Sequence, residues 1–149
     1  MSWHETHIRV RFNEVDPWGM VWYANYFSYI DVARCEVLEK FELLPDTLVK
    51  LGYIAPVYHV NSTFKHPARF NDLLRIRVTL RPQRAAKLVF LFEILQSETG
   101  KVVMHGETTQ VLLNAEGFMI YKLTGVLAER IQALTSFLCG APNKGSKTT

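Results

Sequence analysis

Asp16 is the residue of this sequence best placed to do chemistry. It lies just before the longest helical pattern in the chain, and Pro17, Trp18 and Gly19 follow it directly. A carboxylate can act as a nucleophile or as a general base. Backbone N–H groups at a helix N-terminus can stabilise negative charge that develops beside them. The stretch at residues 12–38 therefore predicts a reactive carboxylate next to an anion-stabilising helix start.

Two of the polar residues in this stretch also have ordinary structural explanations. Asp-Pro is a common turn dipeptide, so Asp16 could be a turn former or a helix cap. Asn25 fits the N-cap of a helix that is predicted to begin near Ala24 or Asn25. A role in ligand binding is therefore optional for Asn25, whereas the dense aromatic surroundings favour a functional Asp16.

Periodicity predicts the elements that hold this loop in place. Residues 4–12 alternate polar and apolar side chains, which indicates a half-buried strand. After the loop, apolar residues recur at spacings of three and four and would share one helical face: Tyr26, Ile30, Ala33, Val37 and Phe41. Pro45 can open a second, short helix that Gly52 can close.

The second half of the chain changes to a strand pattern. Strands are predicted at residues 54–64, 74–80, 88–95, 102–114 and 118–122, the last as a short edge strand. Residues 88–95 are apolar on both faces, which predicts a central strand covered on both sides. Leu127, Ile131, Leu134 and Leu138 predict a terminal amphipathic helix.

One strand, a long helix and then a run of strands predict an α+β layer, in which an antiparallel sheet curves around the helix. Residues 1–139 are expected to form a single domain, because no linker or internal repeat interrupts them. The tail at residues 140–149 has no apolar periodicity and is expected to be disordered.

Two blocks of sequence carry a resemblance to a known family. The first is DPWGMVWYANY at residues 16–26, continued in the helix by DVARCEVL at 31–38. The second is FKHPARFNDLL at residues 64–74. In this order and spacing the blocks resemble the 4-hydroxybenzoyl-CoA thioesterase family of hotdog-fold enzymes, over about residues 4–138.

The resemblance implies a hotdog fold and hydrolysis of an aryl- or short-chain acyl-CoA. In this family the residue matching Asp16 is the catalytic carboxylate, as nucleophile or general base. The backbone N–H at the position of Tyr23 polarises the thioester carbonyl. Tyr23 stands where aryl-CoA members carry Tyr and aliphatic-acyl members carry His. The accompanying substrate-binding candidates are Trp18, Gly19, Trp22 and Asn25.

The resemblance also implies assembly into homodimers or homotetramers, with active sites at the subunit boundary. Aromatic residues on more than one face of the long helix agree with this expectation, because large exposed apolar patches often mark an interface. The pocket is expected to combine Trp18, Trp22 and Tyr23 with residues 54–64 of a neighbouring subunit. His59 is a candidate contact from that strand.

Basic residues are expected to bind the phosphates of CoA. The candidates are Arg84 and Lys87 in the connection before residues 88–95, and Lys65 and Arg69 lie in the second block. A solubilising surface role explains these charges nearly as well.

Composition excludes several other classes of protein. The formal net charge of +3 is too small and too dispersed to predict nucleic-acid binding. No apolar run reaches the length of about 20 residues that spans a membrane. Cys35 and Cys139 are isolated, and no Cys or His spacing predicts a metal site. With no secretory signal at the N-terminus, a cytoplasmic protein with reduced thiols and no cofactor is expected.

Three other functions compete with acyl-CoA hydrolysis. A hotdog dehydratase pairs a His with an acidic residue, but no His lies near Asp16 in this sequence. A non-catalytic acyl-CoA-binding protein has no need of Asp16, Gly19 and the Asn25-Tyr26 pair. A thioesterase acting on acyl carrier protein stays open, since the carrier presents the same phosphopantetheine arm as CoA.

Overall fold

The computed structural model of this protein describes residues 1–140. The strands are β1 (His4–Arg9), β2 (Tyr53–Ile54), β3 (Val57–Phe64), β4 (Leu73–Arg81), β5 (Lys87–Gln96), β6 (Val102–Val111) and β7 (Leu113–Asn114). The helices are α1 (Tyr23–Lys40), α2 (Pro45–Lys50) and α3 (Gly125–Cys139), and a single 3-10 turn at Phe12–Glu14 follows β1. Apart from Gly140, the predicted tail lies outside the described residues.

Five strands form one antiparallel sheet in the order β1-β4-β5-β6-β3, and β2 pairs with β7 in a separate two-stranded ribbon. The prediction that residues 88–95 form a central strand is confirmed, because β5 is the middle strand. Its helix side is fully buried at Phe90, Phe92 and Ile94. On the outer side Val89 and Leu95 are buried but Leu91 and Glu93 stay partly exposed, so the predicted cover of that side is incomplete within one chain.

The long helix α1 packs its apolar stripe against one face of this sheet. Tyr26, Ile30, Ala33 and Val37 are all buried, as their spacing predicted. Burying each large side chain of this kind stabilises the fold by about 1.5–3 kcal/mol. The result is a curved antiparallel sheet around a long helix, the α+β architecture that the resemblance implied.

The two edges of the five-stranded sheet differ in their chemistry. The edge strand β1 has the sequence HETHIR, in which charged and polar residues discourage pairing with another strand. The other edge strand, β3, exposes four large apolar residues: Val57, Tyr58, Val60 and Phe64. An exposed edge of eight residues, four of them large and apolar, is a surface on which a further strand could pair.

Several predicted boundaries need correction. The first strand ends at Arg9 rather than residue 12, because the chain turns at Phe12–Glu14 and leaves Phe12 exposed. The predicted strand at 54–64 is divided into β2 and β3, and the one at 102–114 into β6 and β7. The predicted edge strand at 118–122 is only an isolated bridge between Leu113 and Met119.

Among residues 1–140, no helix combines the length and the apolar character needed to cross a lipid bilayer.

Candidate active site

The loop that carries Asp16 is closed by its own backbone. The Asp16 N–H donates to the Met20 carbonyl at 2.7 Å, and the Gly19 N–H donates to the Asp16 carbonyl at 2.9 Å. Gly19 has a φ of +77°, in the left-handed region that glycine adopts without strain. The turn therefore requires a glycine at position 19, and this requirement accounts for Gly19 without any contact to substrate.

The Asp16 carboxylate is half-buried and held on one side only. Its Oδ1 accepts the Trp18 N–H at 2.9 Å and the Met20 N–H at 3.2 Å. Its Oδ2 has no hydrogen-bond partner within the part of the chain that the structure describes. One oxygen thus fixes the orientation of the group, and the other is available to a water molecule or a substrate.

Helix α1 begins beside this carboxylate at Tyr23. The predicted starts, Ala24 and Asn25, are one and two residues later. Trp22 is the N-cap and makes no side-chain capping bond, and Tyr23 is the first helical residue. The Trp22 N–H donates to the Glu14 carbonyl at 2.9 Å. Within residues 1–140 the Tyr23 N–H has no acceptor, as expected at the start of a helix. This donor can therefore bind an oxygen that gains negative charge.

Asn25 is not the N-cap, and this prediction is corrected. Its side-chain Nδ2 donates to the Glu14 carbonyl at 2.9 Å from within the first turn of α1. The same carbonyl accepts the Trp22 N–H, so Glu14 holds the start of the helix through two bonds. Asn25 therefore positions the N-terminus of α1, and the structure gives this side chain a role that needs no substrate.

Glu14 is buried, with 7% of its surface exposed, and sequence reasoning missed it. Its carboxylate accepts the Arg11 backbone N–H at 2.8 Å and the Arg11 guanidinium at 3.2 Å. Burial raises the pKa of Glu14, but hydrogen bonds from the side chain and backbone of Arg11 outweigh it, so the pKa lies below its ordinary value. A Glu just before the Asp-Pro turn was the only available signal.

A cavity of about 410 Å³, here called the Asp16 cavity, opens in front of these groups. Its walls are mostly aromatic and apolar: Trp18, Met20, Val21, Trp22, Tyr23, Tyr26, Phe64 and Pro67, together with Asp16, Lys65 and His66. The Tyr23 and Phe64 rings are 6.3 Å apart, centroid to centroid, and nearly perpendicular. Trp18 and Tyr23 are 77% and 60% exposed, so one side of this aromatic surface is uncovered.

The second sequence block forms the far wall of the cavity. The Tyr26 hydroxyl accepts the Ala68 N–H at 3.0 Å, and the Val21 N–H donates to the Ala68 carbonyl at 2.8 Å. Met20 also bridges to Arg69. The two blocks, about forty residues apart in the sequence, therefore meet at one site. His66 was not predicted as a site residue, and Phe64 was predicted only as part of a neighbouring subunit's strand, because only strand pairing brings them beside α1 of the same chain.

His59 does not line the Asp16 cavity. It pairs with Thr109, whereas Phe64 pairs with Met104. These partners are an odd number of residues apart on β6, so His59 points to the outer face and Phe64 to the helix face. His59 therefore does not reach the Asp16 cavity of its own chain, and its predicted contact with the pocket of a neighbouring subunit stays a prediction.

Arg84 and Lys87 lie far from Asp16 within one chain. Lys87 pairs with Val111 on β6, and the cavity residue Phe64 pairs with Met104 on the same strand. Seven residues of strand separate the two positions, which is about 23 Å. The basic residue that does line the cavity is Lys65.

The described residues 1–140 contain no group of three or more His, Cys, Asp and Glu side chains that could hold a metal ion. The groups at the Asp16 cavity itself are a carboxylate, a helix N-terminus and an aromatic wall.

The chain is similar to known proteins over most of its length. The model of the thioesterase-like superfamily matches residues 10–131. The chain is 26% identical over 129 residues to the 4-hydroxybenzoyl-CoA thioesterase of Pseudomonas sp. (strain CBS-3), a match that covers 85% of this chain and 86% of that protein. It is 28% identical over 91 residues to the acyl-CoA thioester hydrolase YbgC of Escherichia coli O6:H1, covering 61% and 68%.

A solved structure confirms the fold. The 1,4-dihydroxy-2-naphthoyl-CoA thioesterase Slr0204 from Synechocystis superposes with a TM-score of 0.80, at 18% identity. The match covers 93% of this chain and 98% of that one. The expected hotdog architecture is thus shared with a known structure over nearly the whole described chain.

Proposed function

The chain belongs to the thioesterase-like superfamily, and from that membership we propose that it hydrolyses an aryl- or short-chain acyl-CoA to the free acid and CoA. The predicted enzyme class, a thioester hydrolase, is confirmed by the family and by relatives of that name. One observation carries the more specific proposal. A carboxylate oxygen and a helix N–H, each without a hydrogen-bond partner among residues 1–140, belong to residues that line the same aromatic cavity.

These two groups match the two requirements of thioester hydrolysis. The Tyr23 N–H donates to the thioester carbonyl oxygen and stabilises the oxyanion that forms as the carbon becomes tetrahedral. As a general base, Asp16 takes a proton from water while the water oxygen bonds to the carbonyl carbon. The C–S bond then breaks, and the CoA thiolate leaves and takes up the proton that Asp16 holds, which restores the carboxylate.

A nucleophilic route uses the same groups. A carboxylate oxygen of Asp16 bonds to the thioester carbon, the C–S bond breaks, and a mixed anhydride remains on the enzyme. Water then cleaves the anhydride, which releases the free acid and restores Asp16. Both routes need the unpaired carboxylate oxygen and the free Tyr23 N–H, so the proposed site is the same for each.

The aromatic wall favours a planar acyl group close to Asp16. Offset or edge-to-face packing of aromatic rings contributes about 0.5–1.5 kcal/mol per pair beyond area burial. That range corresponds to at most about a tenfold preference. Trp18, Trp22 and Tyr23 supply such surfaces, and their bulk leaves little room for a long chain.

The proposal includes a homodimer, or a homotetramer built from it, joined along β3. The apolar edge of β3 and the uncovered wall at Trp18 and Tyr23 support this assembly. In such a dimer, Arg84 and Lys87 of the second copy would come to the end of the joined sheet where Asp16 lies. That is the arrangement in which they could bind CoA phosphates.

Sedimentation tests the assembly. The wild-type chain should be a dimer or larger at micromolar concentration, and Val60→Lys on the β3 edge should dissociate it and lower its activity. A monomeric wild-type protein would contradict this part of the proposal.

A panel of thioesters tests the proposed reaction. The values of kcat/KM are compared for benzoyl-CoA, butyryl-CoA, palmitoyl-CoA and a benzoyl thioester of acyl carrier protein. Benzoyl-CoA or butyryl-CoA should be preferred. If palmitoyl-CoA is preferred by tenfold or more, which is about 1.4 kcal/mol in transition-state binding, the aromatic slot is the wrong description of the site.

A further inference from the structure

A second cavity, here called the Arg34 cavity, lies farther along α1. It has a volume of about 270 Å³ and is enclosed by α1, α2 and the segment that leads into β3. Most of its wall is apolar, including Leu38, Ile54 and Pro56. Two polar side chains, Arg34 and Gln110, also line it. An apolar cavity with a few convergent polar groups is the usual form of a small-molecule site.

The polar end of the Arg34 cavity presents hydrogen-bond donors. The Arg34 side chain is only 13% exposed, and its guanidinium donates to Asp31 at 2.8 Å and to Gln110 Oε1 at 3.4 Å. Its Nε is buried and has no partner within residues 1–140. Gln110 Nε2 donates to the Ala55 carbonyl at 2.6 Å. Because Gln110 Oε1 already accepts a hydrogen bond from Arg34, a ligand in this cavity must supply a hydrogen-bond acceptor. Among acceptors, a carboxylate pairs best with a guanidinium.

The register of the sheet relates this cavity to the Asp16 cavity of a second copy. Within one chain Phe64 pairs with Met104 and Val57 pairs with Gln110. When two copies of β3 pair antiparallel over their full length, Phe64 lies opposite Val57 of the second copy. Residues directly opposite each other point to the same face, which here is the helix face. Phe64 borders the Asp16 cavity, and Gln110 borders the Arg34 cavity.

Two strand spacings therefore separate Phe64 from Gln110 of the second copy, or about 10 Å. Pro56 and Ala55, which precede Val57, also line the Arg34 cavity. The two cavities would then adjoin across the dimer. An acyl group held by its thioester at Asp16 and Tyr23 of one copy would extend toward Arg34 of the other.

We propose that the Arg34 cavity receives the far end of the acyl group bound to the second copy, and that Arg34 and Gln110 select acyl groups ending in a carboxylate. This inference rests on the proposed thioesterase function and on pairing through β3. It adds a substrate class to that function, namely an acyl-CoA with a second, distal carboxylate.

The direct test compares two thioesters that differ only at the far end, benzoyl-CoA and 4-carboxybenzoyl-CoA. The wild-type enzyme should prefer the carboxylate by at least tenfold in kcat/KM. Arg34→Gln should abolish most of that preference. Arg130→Gln is the matched control, because Arg130 is paired with Glu42 away from both cavities and should leave the preference unchanged. No preference in the wild type, or an unchanged preference in Arg34→Gln, overturns the proposal.

A second variant covers the case in which Arg34→Gln does not fold. Gln110→Glu places a negative charge beside Arg34, so it should weaken binding of the carboxylate ligand and spare the benzoyl ligand. Binding is measured with non-hydrolysable thioether analogues of both acyl-CoAs. If the wild-type protein binds the carboxylate analogue more tightly than the benzoyl analogue but hydrolyses no thioester, the proposed function is wrong and the carboxylate site is retained. Equal binding of both analogues overturns the carboxylate site.

A mixed dimer tests whether Arg34 acts across copies. Asp16→Asn dimers are mixed with Arg34→Gln dimers and allowed to exchange subunits. If the two residues come from different copies, one site in each mixed dimer has both wild-type groups, and the preference for 4-carboxybenzoyl-CoA returns. If Arg34 serves Asp16 of its own chain, the mixture shows no recovery, and the cross-copy arrangement is wrong.

Discussion

The Asp16 cavity and the Arg34 cavity lie against the same helix, yet they present different polar groups. The first offers a carboxylate and a backbone N–H, both set by one continuous loop and the helix that follows it. The second offers a guanidinium and an amide from two elements far apart in the sequence. Catalysis of bond breaking requires groups that the backbone holds in one geometry. Discrimination between substrates requires only a complementary group at the right distance from the substrate. Substitutions that alter Asp16 or the position of the Tyr23 N–H should therefore change kcat, and those at the second cavity should change substrate preference.

The largest effect is expected from Asp16→Asn. The amide oxygen still accepts the Trp18 and Met20 N–H groups, so the loop keeps its shape, but the base or nucleophile is lost. The kcat for benzoyl-CoA should fall at least about a hundredfold, and binding of a thioether analogue should persist. Asp46→Asn, at the start of α2, is the control. A folded variant that keeps more than about a tenth of wild-type kcat would refute the role of Asp16.

Glu14→Gln tests the hydrogen bonds between Glu14 and Arg11 next to the first cavity. Removing the charge weakens both bonds to Arg11, and the free energy of unfolding at pH 7 should fall by about 1.5–2 kcal/mol. Because the folded pKa of Glu14 lies below its ordinary value, its stabilising contribution is present above that value and disappears as pH falls through the folded pKa. Urea denaturation of both proteins at pH 7 and pH 3 should show a difference that shrinks in acid. An equal difference at both values would contradict the assigned charge.

Asn25→Ala separates positioning from binding. The substitution removes one of the two bonds that the Glu14 carbonyl accepts at the start of α1. The Tyr23 N–H should then be less well oriented toward the thioester carbonyl. The value of kcat should fall about tenfold, which corresponds to about 1.4 kcal/mol in activation free energy, while KM changes little. Asn114→Ala, at the end of β7 and outside the lining of the cavity, is the control. A rise in KM at constant kcat would instead identify Asn25 as a substrate contact.

The smallest effect is expected from Tyr23→Leu. The backbone N–H stays in place and only the ring that packs near Phe64 is lost. The preference for benzoyl-CoA over butyryl-CoA should fall by about threefold, within the range of one aromatic pair. A loss of kcat as large as that of Asp16→Asn would mean that the Tyr23 side chain, rather than its backbone, takes part in the chemistry.

Sequence alone determined the parts of this protein that depend on neighbours in the chain. Asp16 and Gly19 form one turn, and Tyr23 directly follows its closing residues, so residue types and spacing were enough to predict them together. The helical face of α1 and the alternation of β4 follow from periods of 3.6 and 2 in the same way. The two sequence blocks also predicted the family, because each block is continuous.

Tertiary structure decided everything that depends on strand pairing. Phe64 and His66 reach the cavity because β3 runs beside β6, and His59 points away from it because of its register on that strand. A shift of one residue moves a side chain to the opposite face, and the irregularity between Val57 and His59 cannot be seen in the residue types. Arg84 and Lys87 have suitable charges but lie at the far end of the sheet. Local sequence sets which groups can react, and non-local pairing sets which of them meet.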